Sequence, residues 1–208
     1  MSNTAPPGYE FADVIERRRR TLANMARLRG RMRPVTWLLR RVFDLSQRLG
    51  LEYPLFRRFF RPMAGMFDKA IDKAFAGYVP TEHDVFVCSY FKSGTNWVMH
   101  TAYQIAEHGE GQFEDILDVV PWVDCPDQET TVWLNDPRPQ QRSRSGLRVI
   151  KTHARAQFVP YNEQARYICV VRDPKEVIVS GYHFFGSMLV GSLIPSVDTW
   201  VRHCTSEE

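Results

Sequence analysis

Three short β-rich runs, "DVFVCSY" (84–90), "LRVIKTH" (147–153) and "ARYICVV" (165–171), constrain this chain more than any other feature. Each is rich in β-branched or aromatic residues and is the length of one strand. Stretches with helical spacing follow two of them: "NWVMHTAYQIAEHG" after the first and "PKEVIVSGYHFFGSML" after the third. Pro174 stands near the first turn of that last stretch, where a missing N–H costs nothing. Strands separated by helical segments imply an α/β fold with a parallel sheet.

Each run ends in a polar cluster, and open parallel sheets bind ligands beyond the carboxyl ends of their strands. The first cluster is Lys92-Ser93-Gly94-Thr95-Asn96-Trp97. Gly94 lets the backbone turn tightly, and the amides from Ser93 to Asn96 would face outward at a helix N-terminus, a ready anion site. Lys92 adds a full positive charge and Thr95 a hydroxyl. The order of residues is not that of a Walker A loop, because the lysine precedes the glycine and no earlier glycine stands within the turn. These residues suit a phosphate cradle, and they equally suit a plain strand-to-helix turn with a capping hydroxyl.

The second cluster is Lys151-Thr152-His153. A histidine just beyond a buried strand titrates near neutrality and can act as general base, or it can be merely structural. The third is Arg172-Asp173-Pro174, with Ser180 eight residues after Arg172. Arginine offers a planar fork to phosphate oxygens, while Asp173 could simply cap the next helix.

Together the three segments resemble one family. "YFKSGTNW" is similar to the YPKSGTTW signature of cytosolic sulfotransferases that use 3′-phosphoadenosine 5′-phosphosulfate (PAPS). "KTH…FVP" resembles that family's KTHLP segment and the apolar-Pro run after it. "VVRDPKEVIVSGYHFF" is similar to its VxRxPKDVxVSxYHF segment, and order and spacing agree over roughly residues 80 to 190. The resemblance implies that Lys92, Ser93, Gly94, Thr95, Asn96 and Trp97 line the 5′-phosphosulfate. It implies His153 as general base, with Lys92 and Lys151 beside the transferred group, and Arg172 with Ser180 on the 3′-phosphate. It also implies a small hydroxyl- or amine-bearing acceptor and no metal.

Three departures qualify the match. Phe91 stands where the family has proline, and Asn96 where it has threonine. The family's later cofactor segment, a basic glycine-containing loop, has no counterpart in residues 190 to 208. The expected architecture is therefore a P-loop-like parallel sheet flanked by helices, an incomplete sulfotransferase fold. Residues 80–208 would form the N-terminal portion of that domain, and residues 1–79 a basic helical region. The alternative to an active transferase is a non-catalytic truncated remnant that keeps a partial nucleotide-binding cradle.

Charge separates those two regions. Residues 1 to 80 hold 16 Lys+Arg against 7 Asp+Glu; the totals of 27 and 24 leave 11 against 17 for the rest. Helices are expected from Phe11 to about Gly30, from Pro34 to a C-cap at Gly50, and from about Pro54 to Gly77 with a break at Pro62. In the second, Val35, Leu38, Leu39, Val42, Leu45 and Leu49 recur at helical spacing. The Arg17–Arg20 cluster, with Trp37, Leu38, Phe59 and Phe60, is compatible with an anionic membrane surface, with packing on the domain, or with a second subunit in a homodimer. No motif that reads nucleic acid accompanies the charge.

The remaining sequence is less informative. Residues 110–146, with Pro121, Pro126, Pro137 and Pro139, read as surface loop, and residues 1–9 as a polar tail. The four cysteines have no metal spacing. Cys88 and Cys169 lie in apolar runs and read as buried free thiols, which suits a reducing compartment. No secretory signal pattern opens the chain and no run of about 18 apolar residues occurs, so a soluble cytoplasmic protein is expected.

Overall fold

The computed structural model describes residues 11–188 and 193–206, except the side chains at 63, 64, 66–68, 72 and 188. The tail expected over residues 1–9 lies outside the described residues. The helices are α1 (Ala12–Arg48), α2 (Glu52–Lys73), α3 (Thr95–Ala106), α4 (Arg138–Arg142), α5 (Pro174–Met188) and α6 (Val197–Thr205), and the strands β1 (Asp84–Ser89), β2 (Arg148–Thr152) and β3 (Arg166–Val170). The strands form a parallel sheet in the order β2-β1-β3, so the expected α/β fold with helices flanking a parallel sheet is what forms.

The chain divides into two compact units, one of residues up to Met25 and Phe67–Val171, the other of Ala26–Met66 and Arg172 onward. In the first, strand alternation sorts the core into two faces. Val85, Val87 and Val149 meet Met99, Ala102 and Ala106, which recur on one side of α3 at helical spacing. Phe86 and Ile150 point the other way, onto Phe75, Val123 and Ala165. At the start of the sheet Asp84 and Arg148 stand opposite one another in register, both buried. Arg148 Nη2 donates to Asp84 Oδ1 at 2.8 Å, and Tyr78 donates its hydroxyl to Asp84 Oδ2 at 2.6 Å.

The second unit is centred on Phe43, Phe56, Phe60, Leu193 and Trp200. Glu52, buried at the start of α2, accepts from the Ser196 amide at 2.8 Å and the Thr199 hydroxyl at 2.7 Å, which fixes the first turn of α6. The Trp200 indole N–H donates to the Ile178 carbonyl at 2.9 Å, tying α6 to α5.

The helical region differs from expectation. α1 is continuous through Gly30 and Pro34, and α2 through Pro62. An interior proline costs about 3 kcal/mol against alanine, but arginine, leucine, methionine and alanine fill most other positions of this stretch and sustain the helix. Its end is as read: Gly50 sits at φ 68°, its N–H bonds to Gln47, and Leu51 N–H reaches back to Ser46 at 2.8 Å. That pair of bonds is the Schellman motif.

The stretch 110–146 is not a surface loop. It lacks long elements, but Ile116, Val119, Val120, Val123 and Val132 are buried in the core. A reciprocal capping box between Asp115 and Asp118 sets its first turn. Arg18 Nε closes on the buried Asp118 carboxylate at 2.8 Å, Arg19 on Glu114 at 2.6 Å, and Arg17 donates to the Thr131 carbonyl at 2.7 Å. Three arginines of the Arg17–Arg20 cluster are thus taken up by this acidic segment, and Arg20 pairs with Glu16.

The thiols also differ. Cys169 is exposed, because β3 is an edge strand with one side uncovered, and Cys88 on the central strand β1 is half-buried. Burial still pushes the Cys88 thiol up to about 11, so it stays protonated near neutrality.

Candidate active site

The site grows from the register of β1 and β2. Cys88 pairs with Thr152, so Ser89, the last residue of β1, stands beside His153, the first residue beyond β2. The His153 ring nitrogen Nδ1 lies 2.9 Å from the Ser89 carbonyl oxygen and 3.5 Å from its hydroxyl. A carbonyl only accepts, so Nδ1 carries the proton and Nε2 keeps its lone pair. The Ser89 hydroxyl also meets that of Thr95 at 2.5 Å.

After Ser89 the chain turns sharply. Lys92 takes a left-handed backbone conformation at φ 64°, which a non-glycine residue holds only when its surroundings impose it. Gly94 follows at φ 101° as the N-cap of α3, and no side chain caps that helix. The first helical bond is Val98 N–H to Gly94 O at 3.2 Å, so the amides of Thr95, Asn96 and Trp97 precede it and face outward. Ser93 and Thr95 are buried, Gly94 is half-buried, and Asn96 and Trp97 are exposed.

Lys151 enters from β2 on the α3 side of the sheet. Its ammonium lies 3.3 Å from Asn96 Oδ1 and 3.8 Å from the centre of the Trp122 ring. Burial pushes Lys151 down to about 8, the neighbouring Asp124 raises it, and Lys92 lowers it further. Two lysines that feel one another's charge beside a row of outward amides make a concentrated anion site.

Sequence reasoning missed three residues here. Asp124 is buried, and both its carboxylate oxygens accept the His153 main-chain N–H, at 2.9 and 3.1 Å. Trp122 stands edge-on to His153, with ring centres 5.7 Å apart. Ser89 links Thr95 to His153. Trp122 and Asp124 belong to "PWVDC", which pairs alongside β2 through Lys151 N–H to Pro121 O and Val123 N–H to Lys151 O. The readable signal was the unbroken apolar set Val119, Val120, Val123, obscured by the prolines. Burial holds the His153 imidazole below its ordinary 6.5, Asp124 raises it in part, and Lys151 lowers it.

Lys92, Ser93, Gly94, Thr95, Asn96, Lys151 and His153 all lie in the first unit, around the carboxyl ends of β1 and β2. Trp97, also on the first turn of α3, is 84% exposed and faces away from the core. Arg172 and Ser180 belong to the second unit. There Arg172 Nε bonds Glu176 Oε2 at 2.8 Å, Ser180 is half-buried within α5, and Asp173 accepts from the Lys175 amide at 2.8 Å.

The chain is similar to known proteins over this region. A family model described as a sulfotransferase domain matches residues 82–203. Sulfotransferase 2A6 of Rattus norvegicus is 26% identical over 154 residues, 73% of this chain and 52% of the relative. Sulfotransferase 2B1 of the same organism is 29% identical over 158 residues, 73% of this chain and 44% of the relative. Sulfotransferase 1C2 of Homo sapiens is 25% identical over 130 residues, 58% of this chain and 40% of the relative. The chain spans about half the length of the curated relatives it matches.

Proposed function

The chain belongs to the sulfotransferase family, and on that premise we propose that it moves a sulfuryl group from PAPS to a hydroxyl or amine of a small acceptor. The observation that carries the reading is the convergence of Lys92, Lys151 and His153 on the uncapped N-terminus of α3. The cradle fits a phosphosulfate: at Gly94 nothing lies within 4 Å of where a Cβ would stand, so the backbone can be approached closely. The chemistry that PAPS supplies when bound is an activated sulfuryl group on a phosphate leaving group.

The protein's part is binding, charge and one proton. Lys92 and the amides of Thr95 to Trp97 hold the anionic end and offset charge where the leaving phosphate forms. Lys151, whose burial lowers its pKa to about 8 but leaves it mostly charged near neutrality, adds charge beside the transferred group. His153 Nε2 takes the acceptor proton, while Nδ1–H stays on the Ser89 carbonyl and Asp124 fixes the main chain beneath the ring. Following the motif resemblance, Arg172 and Ser180 hold the 3′-phosphate that distinguishes PAPS from ATP. The domain in this reading is residues 80–208, the N-terminal portion of a sulfotransferase domain, and residues 1–79 are its basic helical region. No described helix is long and apolar enough to cross a membrane; a cytoplasmic enzyme completes the proposal.

Calorimetric titration with 3′-phosphoadenosine 5′-phosphate, followed by a sulfate-transfer assay over phenol, alcohol and amine acceptors, tests this. Saturable binding with transfer is expected. Binding without transfer would favour the alternative, a module that holds the nucleotide but does no chemistry. Tighter binding of ATP with Mg²⁺ would reject the cofactor assignment.

A further inference from the structure

The second unit presents an apolar stripe that its own core does not use. Val35, Leu38, Val42, Leu45 and Leu49 follow one another on α1 at intervals of three and four, and each is 44–63% exposed. They lie on one side of the helix, next to the line of half-buried Leu39 and buried Phe43 and Ser46, which faces the cluster around Phe56 and Phe60. Trp37 is exposed as well, and the Arg41 guanidinium stacks 5.4 Å from its ring centre.

Charge decides what covers the stripe. Residues 26–49 hold seven arginines and a single acidic residue, Asp44. Arg17 to Arg20 are all taken up by neighbouring acids, whereas Arg29, Arg31, Arg33, Arg40 and Arg48 make no ion pair among the described residues. A second copy is a poor fit. With Val35, Leu38, Val42, Leu45 and Leu49 as the seam of a coiled coil, one flank (Leu39, Ser46) is already packed internally and the other carries Arg41 and Arg48, which would meet like charges or no charge. An apolar face edged by arginines, with a tryptophan beside it, is the composition of a helix that lies in a bilayer interface.

We infer that residues 26–49 of α1 form a peripheral binding surface for anionic phospholipid bilayers, with the Val35–Leu49 stripe entering the acyl boundary and the arginines meeting the headgroups. Nothing in this depends on the nucleotide site, so its failure and that of the transferase reading are separable.

The test is co-sedimentation of the full chain with vesicles of phosphatidylcholine mixed with phosphatidylserine, against phosphatidylcholine alone, at low and high salt. Binding should need phosphatidylserine and weaken with salt. Leu38→Glu with Leu45→Glu should abolish it, while the unfolding midpoint and binding of 3′-phosphoadenosine 5′-phosphate stay unchanged. Should that pair unfold the chain, Arg41→Gln with Arg48→Gln decides, with partitioning lowered roughly tenfold or more at about 1 kcal/mol per arginine. No binding to the mixed vesicles, or binding that neither pair weakens, overturns the inference. So does a dimer, seen by sedimentation velocity, that Leu38→Glu with Leu45→Glu dissociates, because a second copy would then be what covers the stripe.

Discussion

His153 and Ser89 are held together by the sheet: the ring Nδ1 lies 2.9 Å from the Ser89 carbonyl because Cys88 and Thr152 pair one residue earlier. The proton is thereby fixed on Nδ1, and Nε2 is the nitrogen left to act as base. His153→Ala should lower transfer by about 10²–10⁴-fold, the usual contribution of a general base. Affinity for 3′-phosphoadenosine 5′-phosphate should be nearly unchanged. Calorimetry beside the transfer assay checks both, and near wild-type transfer would reject the role.

The pH profile follows from two depressed bases. His153 must be neutral to accept a proton, and burial holds it below 6.5, so the acid limb of kcat/KM should fall below that value. In the proposed reaction Lys151 serves as a cation, and it loses its proton through about 8, so an alkaline limb is expected there. Lys151→Arg keeps the charge and should remove that limb. Stability has its own sign: between about 8 and the ordinary 10.5 the unfolded chain binds the extra proton, so stability should rise with pH over that window. Thermal melts of wild type and Lys151→Met would show the slope present in the first and lost in the second.

In the proposed reaction Asp124 would act only through His153. Its carboxylate anchors the His153 amide and raises the imidazole pKa against burial. Asp124→Asn should therefore lower kcat, by up to about 10²-fold if the ring shifts by an ångström. It should also move the acid limb to lower pH. A loss of stability with that limb unmoved would reduce Asp124 to a structural role.

Arg172→Ala is expected to weaken 3′-phosphoadenosine 5′-phosphate by about 1.5–3 kcal/mol, the range for a hydrogen bond to a charged group. Adenosine 5′-phosphosulfate, which lacks the 3′-phosphate, should be affected little. Equal losses for the two nucleotides would remove Arg172 from the 3′-phosphate.

The parallel sheet was legible because its evidence is local: three β-rich runs, each ending in a polar cluster. Lys92, Lys151 and His153 could be named for the same reason. Asp124 could not, because its place depends on "PWVDC" pairing beside β2, a non-local contact hidden among prolines that pointed to a loop. Gly30 and Pro34 misled in the other direction, since local breakers do not outweigh the helix formers around them. Cys169 shows a third limit: an apolar run says strand, but not whether the strand stands at an edge.

The buried Asp84–Arg148 pair gives the sharpest stability test. Arg148 bonds Asp84 twice, at 2.8 and 3.1 Å, donates to the Leu134 carbonyl at 2.9 Å, and also meets the Tyr78 hydroxyl. Burial and the bond to Asp84 raise the Tyr78 phenol well above its ordinary range, so it remains a donor throughout the working pH. Arg148→Ala leaves a buried carboxylate held by the neutral donors Tyr78 hydroxyl, Thr81 amide at 2.8 Å and Thr81 hydroxyl at 3.3 Å, with no cation, and should cost about 3–5 kcal/mol. Replacing both charges, with Asp84→Val and Arg148→Leu, should cost much less, because no uncompensated ion remains. Equilibrium urea denaturation of the two variants measures the difference; equal destabilisation would mean that packing at the strand ends, rather than the unpaired charge, dominates there.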